Sequence, residues 1–321
     1  MPSITCVLPA YNEAPNLAKV VSEVLAATGV LSPRVEIIVV DDGSRDDTAV
    51  VMHGLCAKHP QVVYVQFSRN FGKEAALTAG LDAAQGDVVI LMDADGQHPS
   101  VLLASMLLKW KHGADVVYAV RATRDDQSRL YGKLAGVFYT LINWGNRVKI
   151  PPDAGDFRLL DRKVVNALRA LPERNRFMKG LYAWVGFQSE AIAYDPLPRA
   201  AGRSKFGVRG GLSLAFTGML AFSTAPLRLM SWLGLLLAFA SLSYGAWVII
   251  EYFWLGIDVA GYATVVVGMT FLSGVQLLAM GILAEYVGRI YDEVKQRPTY
   301  LVCTRTGSGL PDASSMGLQD K

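Results

Sequence analysis

Short apolar runs recur through the first 120 residues, and stretches with helical periodicity separate them. The apolar runs predict strands at 4–9, 35–40, 62–66, 87–92 and 115–120, with helices at about 15–27, 44–58, 73–84 and 100–112. Strands that are apolar almost without interruption are typical of a parallel sheet covered by helices on both faces. The pattern therefore predicts an α/β fold with a mostly parallel, Rossmann-like sheet.

Polar side chains follow three of these strands at the point where each strand ends. They are Tyr11 and Glu13 after the first strand, which Pro9 ends, Asp41 and Asp42 after the second, and Asp93 and Asp95 after the fourth. In open α/β sheets the ligand binds beyond the carboxyl ends of the strands. Three separate segments thus indicate one binding cleft.

The spacing of Asp93 and Asp95 would put both carboxylates on one face of a strand, since side chains alternate along it. Two such groups suit a hard cation such as Mg²⁺ or Mn²⁺. Alone the pattern is weak, and a solvated turn is the alternative; the other two strand ends favour the site. No G-x-G-x-x-G follows the first strand, and Gly72-Lys73 lacks the upstream glycine of a P-loop, which disfavours both of those nucleotide-binding motifs.

Two long apolar stretches, about 229–252 and 261–284, occupy the second half of the chain. Some 22 helical residues extend about 33 Å, enough to cross a hydrocarbon core of about 30 Å. Arg228 before the first stretch, and Arg289 and Lys295 after the second, predict a transmembrane hairpin with both ends in the cytoplasm. A helical hairpin buried in a soluble core is the alternative.

These features divide the chain into four parts. We expect a cytosolic catalytic domain at 1–205, a juxtamembrane amphipathic helix at 206–227, two membrane helices within 228–285, and a cytosolic tail at 286–321 that is disordered after Arg305. An ordinary packing helix is the alternative for 206–227. The start of the chain lacks the pattern of a signal peptide, so we expect the N-terminal part to stay in the cytosol.

Composition narrows the function classes. The net charge of +3 and the absence of a basic stripe with interleaved aromatics disfavour nucleic-acid binding. The hydrophobic fraction of 52% is high for a soluble protein, partly because only 18% of residues are charged, against roughly a quarter in average globular chains. Cys6, Cys56 and Cys303 are far apart and form no C-x-x-C, so we expect neither disulfides nor a zinc site.

Several motifs, taken as a set, resemble family 2 glycosyltransferases with the GT-A fold. They are Pro9-Ala10-Tyr11-Asn12-Glu13, Val40-Asp41-Asp42-Gly43-Ser44, Asn70-Phe71-Gly72-Lys73-Glu74, Asp93-Ala94-Asp95-Gly96-Gln97-His98-Pro99, Gly155-Asp156-Phe157-Arg158 and Gly202-Arg203-Ser204-Lys205-Phe206. More narrowly, the chain is similar to polyprenyl-phosphate sugar transferases of the dolichol-phosphate mannose synthase and bactoprenol glucosyltransferase group. The resemblance covers roughly residues 4 to 295.

The resemblance implies a set of donor-side roles. Asp93, Asp95 and Gln97 would hold Mg²⁺ or Mn²⁺ on the diphosphate of a UDP- or GDP-sugar, with Asp95 also counted as catalytic. The other donor contacts implied are Pro9, Tyr11, Glu13, Asp41, Asp42 (favoured over Asp41), Asp93, Arg203 and Lys205. Whether Asp93 ligates the metal or serves the ribose or sugar is left open.

The acceptor side rests on basic residues and one carboxylate. Basic residues after the fifth strand suit a lipid phosphate, and Arg121 and Arg129 match the relatives best, with Lys133 beside them; a solvated basic loop is the alternative. Asp156, placed in a loop by the surrounding prolines and glycine, is the candidate base or acceptor-orienting group, with helix capping as the alternative. Lys73 is expected only to solvate a helix start, and a catalytic role for His98 is disfavoured.

The predicted protein is an inner-membrane, inverting glycosyltransferase that moves one sugar to undecaprenyl or dolichyl phosphate, and we expect a homo-oligomer. Two alternatives stay open. A processive polysaccharide synthase would need more membrane spans, and the chain has no Q-x-x-R-W segment. A non-catalytic membrane scaffold is disfavoured by the intact Asp93/Asp95 pair. The sequence does not distinguish between sugars or nucleotides.

Overall fold

The computed structural model describes residues 1–121, 154–174, 176–195, 197, 225–255 and 261–310. Within these residues the strands are β1 (Ile4–Ala10), β2 (Val35–Asp41), β3 (Val62–Phe67), β4 (Val88–Leu91), β5 (Val116–Arg121), β6 (Ala154–Asp161), β7 (Ser189–Tyr194) and β8 (Val302–Thr306). The helices are α1 (Ala14–Leu31), α2 (Thr48–Lys58), α3 (Lys73–Ala83), α4 (Leu102–Lys111), α5 (Arg162–Ala170), α6 (Met178–Trp184), α7 (Ala225–Leu255) and α8 (Tyr262–Val294).

All eight described strands form one mixed sheet in the order β7-β5-β6-β4-β1-β2-β3-β8. The central pairs β4–β1, β1–β2 and β2–β3 are parallel, as is β5–β7. β6 lies antiparallel between β4 and β5, and β8 is antiparallel to β3. The α/β prediction is confirmed, and its mostly parallel sheet gains two antiparallel strands that the sequence pattern did not predict.

Helices cover both faces of the sheet, which explains why the strands are apolar on both sides. Along β1, Cys6 and Leu8 pack into a core with α1, α2 and α4, whereas Val7 packs on the opposite face with α3, α5 and α6. All three side chains are fully buried. Successive residues of a central strand therefore contribute alternately to the two cores, one on each face of the sheet.

Two local predictions near the cleft are wrong in detail. α2 begins at Thr48 with Asp47 in the N-cap position, not at Ser44. Ser44 is used elsewhere: its hydroxyl accepts a hydrogen bond from the Asn12 amide, and its amide donates to Asp41 Oδ1. The predicted first strand also extends one residue further, because Pro9 lies within β1 rather than ending it.

The Asp93–Asp95 pair does not lie on a strand. β4 ends at Leu91, and the chain then turns through residues 93–97 with Gly96 at a φ of 75°. The positive φ is a conformation that glycine adopts without steric cost. A turn, not strand alternation, therefore sets the directions of the two carboxylates.

Two further segments differ from prediction. Asp156 lies in β6, close to its start, and not in a loop. The tail does not become disordered directly after Arg305. β8 runs to Thr306 and pairs with β3 at the edge of the sheet, and beyond it the Gly309 amide donates to the Pro60 carbonyl. Residues 311–321 lie outside the described part.

α7 and α8 are long apolar helices whose side chains are largely exposed. Within them, Met230–Trp247 and Val267–Val294 are apolar and long enough to cross a membrane. α8 runs ten residues past the predicted end of the second span at 284. Most of the predicted amphipathic helix, 206–224, lies outside the described residues.

We predict that the α3–β1 contact tolerates no added methyl group at Gly80. A Cβ there would overlap Val7 Cγ1, because α3 lies directly on the strand. Gly80→Ala should cost about 1–3 kcal/mol through overpacking. Thermal unfolding of the detergent-solubilised protein measures this as a lowered Tm.

Gly54 provides the matched control, since it lies in α2 with nothing within 4 Å of a Cβ. Gly54→Ala should stabilise by roughly 0.5–1 kcal/mol, because alanine loses less backbone entropy in a helix. A Tm for Gly80→Ala equal to or above that of the wild type would contradict this packing.

Candidate active site

The turn after β4 carries the predicted metal ligands and is held by hydrogen bonds. The Asp93 amide donates to His98 Nδ1 at 3.1 Å, and the Gln97 amide donates to Asp95 Oδ1 at 3.0 Å. His98 is buried and stacks on Phe157 of β6, with ring centroids 4.6 Å apart. His98 therefore holds the turn against the neighbouring strand.

His98 is suited to this role because it is neutral. Burial lowers its pKa, although nearby carboxylates oppose that shift. A neutral imidazole can accept the Asp93 amide at Nδ1, whereas a protonated one could only donate there.

Lys73, the first residue of α3, is the centre of the site. Its Nζ lies 2.6 Å from Asp93 Oδ1 and 2.7 Å from Asp156 Oδ2. One ammonium thus joins the turn after β4 to the start of β6. This role was not predicted from the sequence, in which the available signal was a lysine at a helix start that faces the same sheet edge as the carboxylates.

Lys73 and its carboxylate partners stabilise one another's charged forms. Burial lowers the pKa of Lys73, but Asp93 and Asp156 outweigh that effect, and its pKa lies above the usual value. Burial conversely raises the pKa of Asp156, but Lys73 and Lys179 outweigh it, and its pKa lies below the usual value. At neutral pH the lysine is therefore protonated and Asp156 is a carboxylate.

Glu74, the next residue of α3, has a pKa shifted in the direction opposite to that of Asp156. Burial, with Asp156 adding to it, raises its pKa to about 7. Its Oε2 accepts the Met178 amide at the start of α6 at 3.1 Å. Glu74 therefore connects α6 to the helix that carries Lys73.

Asp156 is fixed by its neighbours in β6. The guanidinium of Arg158 donates to the Gly155 carbonyl at 2.6 Å and lies 3.8 Å from the centroid of the Tyr182 ring. Arg158 and Tyr182 are both buried. These contacts restrain the strand start that carries Asp156.

Asp41 and Asp42 lie at the predicted edge, but both carboxylates are buried and engaged by the protein. Asp41 accepts from the Ser44 amide and, at 2.6 Å, from the hydroxyl of Tyr64. Asp42 accepts from the amides of Phe71 and Gly72 just before α3. In this structure they shape the loops around the cleft, and their contact with a donor stays a prediction.

The loop after β1 is tied to the loop after β2. The Arg45 amide donates to Asn12 Oδ1, which complements the bond from the Asn12 amide to Ser44. Glu13 Oε2 accepts from Asn16 Nδ2 at 2.7 Å. Tyr11, the residue before Asn12, lines the wall of a cavity.

This cavity has a volume of about 350 Å³ and lies at the carboxyl ends of β1, β2 and β3. Its lining residues are Tyr11, Gly43, Ser44, Arg45, Gln66, Phe67, Ser68, Arg69, Asn70 and Cys303. Its volume is at the lower end of the range for small-molecule sites, roughly 300–1,000 Å³.

The predicted basic residues are only partly described. Arg121 is the last residue of β5, and since β5 runs in the same direction as β4, it lies at the same sheet edge as Asp93. Arg129, Lys133, Arg203 and Lys205 lie outside the described residues.

The ligand atoms of the turn after β4 fit a divalent cation. Asp93 and Asp95 offer carboxylate oxygens and Gln97 an amide oxygen, and hard cations prefer such ligands. An ammonium group, that of Lys73, already lies beside Asp93. Across the described ranges no cluster of three or more His, Cys, Asp or Glu residues is placed to hold a metal.

Comparison with known proteins identifies the family to which the chain belongs. The glycosyl transferase family 2 model matches residues 5–169, and the model of the GtrB C-terminal hairpin matches residues 225–290. The SfII prophage-derived bactoprenol glucosyl transferase of Shigella flexneri is 44% identical over 299 residues, covering 93% of this chain and 97% of that protein. The prophage bactoprenol glucosyl transferase homolog of Escherichia coli K12 is 41% identical over 93% of this chain and 98% of that protein.

Among solved structures, glucosyl-3-phosphoglycerate synthase from Mycobacterium tuberculosis in complex with Mn²⁺, UDP and phosphoglyceric acid aligns with a TM-score of 0.48. It is 20% identical over 68% of this chain and 76% of that chain. The family model spans half of the present chain and the bacterial relatives span nearly all of it. This chain therefore belongs to glycosyl transferase family 2, and its mixed sheet with a parallel centre is the GT-A fold of that family.

Proposed function

We propose that the protein transfers one hexose, with inversion, from a UDP- or GDP-sugar to a polyprenyl phosphate at the cytosolic face of the inner membrane. Support for the acceptor comes from relatives that match 93% of this chain and are named as a bactoprenol glucosyl transferase and a homolog of one. The two apolar helices on the same chain favour an acceptor that resides in a membrane.

The observation that carries the proposal is the position of Lys73. Its ammonium contacts Asp93, on the donor side of the cleft, and Asp156, on the side of β5 and β6. A transfer reaction needs the leaving group and the nucleophile to meet at one carbon atom. Lys73 lies where those two sides converge.

On the donor side, Asp93, Asp95 and Gln97 would hold Mg²⁺ or Mn²⁺. The cation would neutralise charge that develops on the diphosphate as it leaves. The pinned turn around His98 keeps these ligands in place. We assign the nucleoside to the neighbouring cavity, which Tyr11 helps to line.

On the acceptor side, a phosphate oxygen would attack the anomeric carbon while the bond to the nucleoside diphosphate breaks on the opposite face. A phosphate monoester has a second pKa near 6 and is largely deprotonated at neutral pH. It therefore needs no strong base. The lowered pKa of Asp156 makes it a poor base and favours a role in orienting the acceptor and the sugar.

Basic residues would neutralise the two anionic substrates. Arg121 lies at the acceptor edge, and we assign Arg129 and Lys133 to the lipid phosphate with it. Arg203 and Lys205 precede the membrane helices in sequence, and we assign them to the donor diphosphate. A homo-oligomer is part of the proposal, because the two apolar helices offer long exposed faces to a second copy.

We predict one labelled lipid in an assay with membranes, polyprenyl phosphate, Mg²⁺ or Mn²⁺ and labelled UDP-glucose, UDP-GlcNAc or GDP-mannose in parallel. The product should be acid-labile and should form from one donor only. Asp95→Asn and chelation of the metal should each lower the rate at least about 100-fold, since charge stabilisation of this kind is worth 10²–10³ in rate.

Asp292→Asn is the matched control, because Asp292 is an exposed carboxylate on α8, outside the cleft. Its rate should equal that of the wild type. No lipid product from a broad donor panel would refute the proposal and favour a scaffold. A labelled long polymer would instead identify a polysaccharide synthase.

A second prediction separates charge from structure at Lys73. Lys73→Met should lower kcat by about 10²–10³ because it removes a cation between two carboxylates. It should also tighten Mn²⁺ binding roughly fivefold, since the ammonium no longer competes for Asp93, an effect of about 1 kcal/mol. Electron paramagnetic resonance of free Mn²⁺ measures that affinity without turnover.

Lys58→Met, at an exposed position in the last turn of α2, should change neither quantity. Weaker Mn²⁺ binding in Lys73→Met would mean that the lysine supports the metal ligands instead of competing with the metal. That result would contradict the arrangement proposed here.

A third prediction concerns the membrane anchor. Replacement of residues 225–294 by a Gly/Ser linker keeps β8 in the chain and should release the protein from membranes in alkaline carbonate. Deletion of residues 311–321 alone is the control and should leave it in the membrane fraction. Retention of the linker variant after the wash would assign the anchor to a segment outside α7 and α8.

A further inference from the structure

β8 brings the end of the chain to the cleft. Because β8 is antiparallel to β3, its first residues lie beside the carboxyl end of β3, at the edge where the cavity lies. The Ser68 amide donates to the Leu301 carbonyl at 3.0 Å and continues the pairing past the end of β3. Only residues 295–301 separate this strand from the end of α8.

The approach to β8 is anchored by an aromatic residue. The ring of Tyr300 stacks on Phe67 with centroids 5.1 Å apart, and its hydroxyl donates to Asp82 Oδ2 at 2.9 Å. Beyond the strand, Gly307 lies so close to Val62 that a Cβ would overlap the backbone there. Contacts at both ends therefore fix β8 on the sheet.

The pairing contains an irregularity at Cys303. Thr304 is opposite Gln66 and Val302 is opposite Phe67, so Cys303 is the extra residue between two consecutive partners. Such a bulge redirects a side chain and is common beside active sites. The exposed thiol of Cys303 lies in the wall of the cavity.

The other walls suit a nucleoside. Tyr11 offers an aromatic face, and Ser44 and Asn70 offer hydrogen-bonding groups. Gly43, with a φ of 69°, lets the loop after β2 approach the loop after β3, since a Cβ would lie 2.5 Å from the Arg69 carbonyl carbon. The cavity is thus built from four strand ends, of which β8 is one.

We propose that β8 forms one wall of the nucleoside end of the donor site, with Cys303 in contact with the bound nucleoside diphosphate. This inference rests on the proposed function, because it takes the ligand of the cavity to be the donor. It also makes the wall of that cavity continuous with the membrane hairpin. Modification of Cys303 and donor binding should therefore exclude each other.

The protein carries a natural reporter for this contact. Of its three cysteines, Cys303 is exposed, whereas Cys6 and Cys56 are buried. Burial raises the pKa of Cys6 to about 12 and also raises that of Cys56. A thiol reagent should therefore label the folded wild-type chain at Cys303.

The experiment measures the rate of maleimide labelling of the full-length protein in detergent, with Mn²⁺ and with or without UDP or GDP. Equilibrium dialysis with the same labelled nucleotide shows that the site is saturated. We expect one of the two nucleotides to slow labelling at least fivefold. Cys303→Ser should abolish the labelling.

A second reporter supplies the matched control. Arg305 is exposed on β8 but does not line the cavity. In the double variant Cys303→Ser, Arg305→Cys, the new thiol should react at the same rate with and without nucleotide. Protection of both positions would indicate a general closure and would overturn the specific contact.

The remaining outcomes distinguish the inference about Cys303 from the proposed function. Saturated nucleotide binding with an unchanged labelling rate at Cys303 would overturn the inference and leave the proposed function standing. Failure of UDP and GDP to bind at all would refute the proposed donor, and the inference with it. As an independent readout, Cys303→Trp should raise the nucleotide Kd at least tenfold, and an unchanged Kd with an unchanged Tm would also overturn it.

Discussion

The ammonium of Lys73 between Asp93 and Asp156 is the interaction on which the site depends. Two carboxylates this close would repel each other in a partly buried cleft without a cation. The lysine is held in place because Asp42 binds the two amides that precede α3. Its partners are held because His98 pins the turn after β4 to the start of β6. The fold therefore assembles a charged centre from three segments distant in sequence.

The sheet continues on both sides of this centre. β6 and β5 extend it toward the side that we propose for the acceptor, and β3 and β8 extend it toward the cavity. The chain leaves the sheet after β7, passes through the two apolar helices and returns as β8. Arg174 strengthens the return, because its amide donates to Glu293 and its guanidinium to the Arg297 carbonyl. The two apolar helices are thus tied to the domain that contains the sheet at the end of α8.

The parallel core and its polar edge could be predicted because they follow from local patterns. Apolar runs and helical periods repeat along residues 4–120, and the carboxyl ends of parallel strands must share an edge. β6 and β8 were not predicted, because their pairing with β4 and β3 joins residues far apart in sequence. Their place in the sheet depends on these distant partners.

The same distinction applies to the side chains of the site. Asp93 and Asp95 were recognisable because they follow a strand and match a motif. Lys73 was not, since its role depends on a contact with Asp156, more than eighty residues away in the chain. Asp42 was predicted to contact the donor, yet its carboxylate is engaged by the backbone before α3. Sequence patterns locate the cleft, but the role of each residue within it depends on contacts between segments that are distant in sequence.

A crystal structure with a non-hydrolysable nucleotide-sugar and Mn²⁺ would show whether donor and metal bind at the carboxylates that Lys73 connects. Anomalous scattering locates the Mn²⁺ ion independently of the electron density of the ligand. If Lys73 joins the donor side to the acceptor side, the ion lies beside Asp93 and Asp95, and the anomeric carbon of the sugar lies between that ion and Asp156. An ion or a sugar bound away from the carboxylates that Lys73 connects would contradict it.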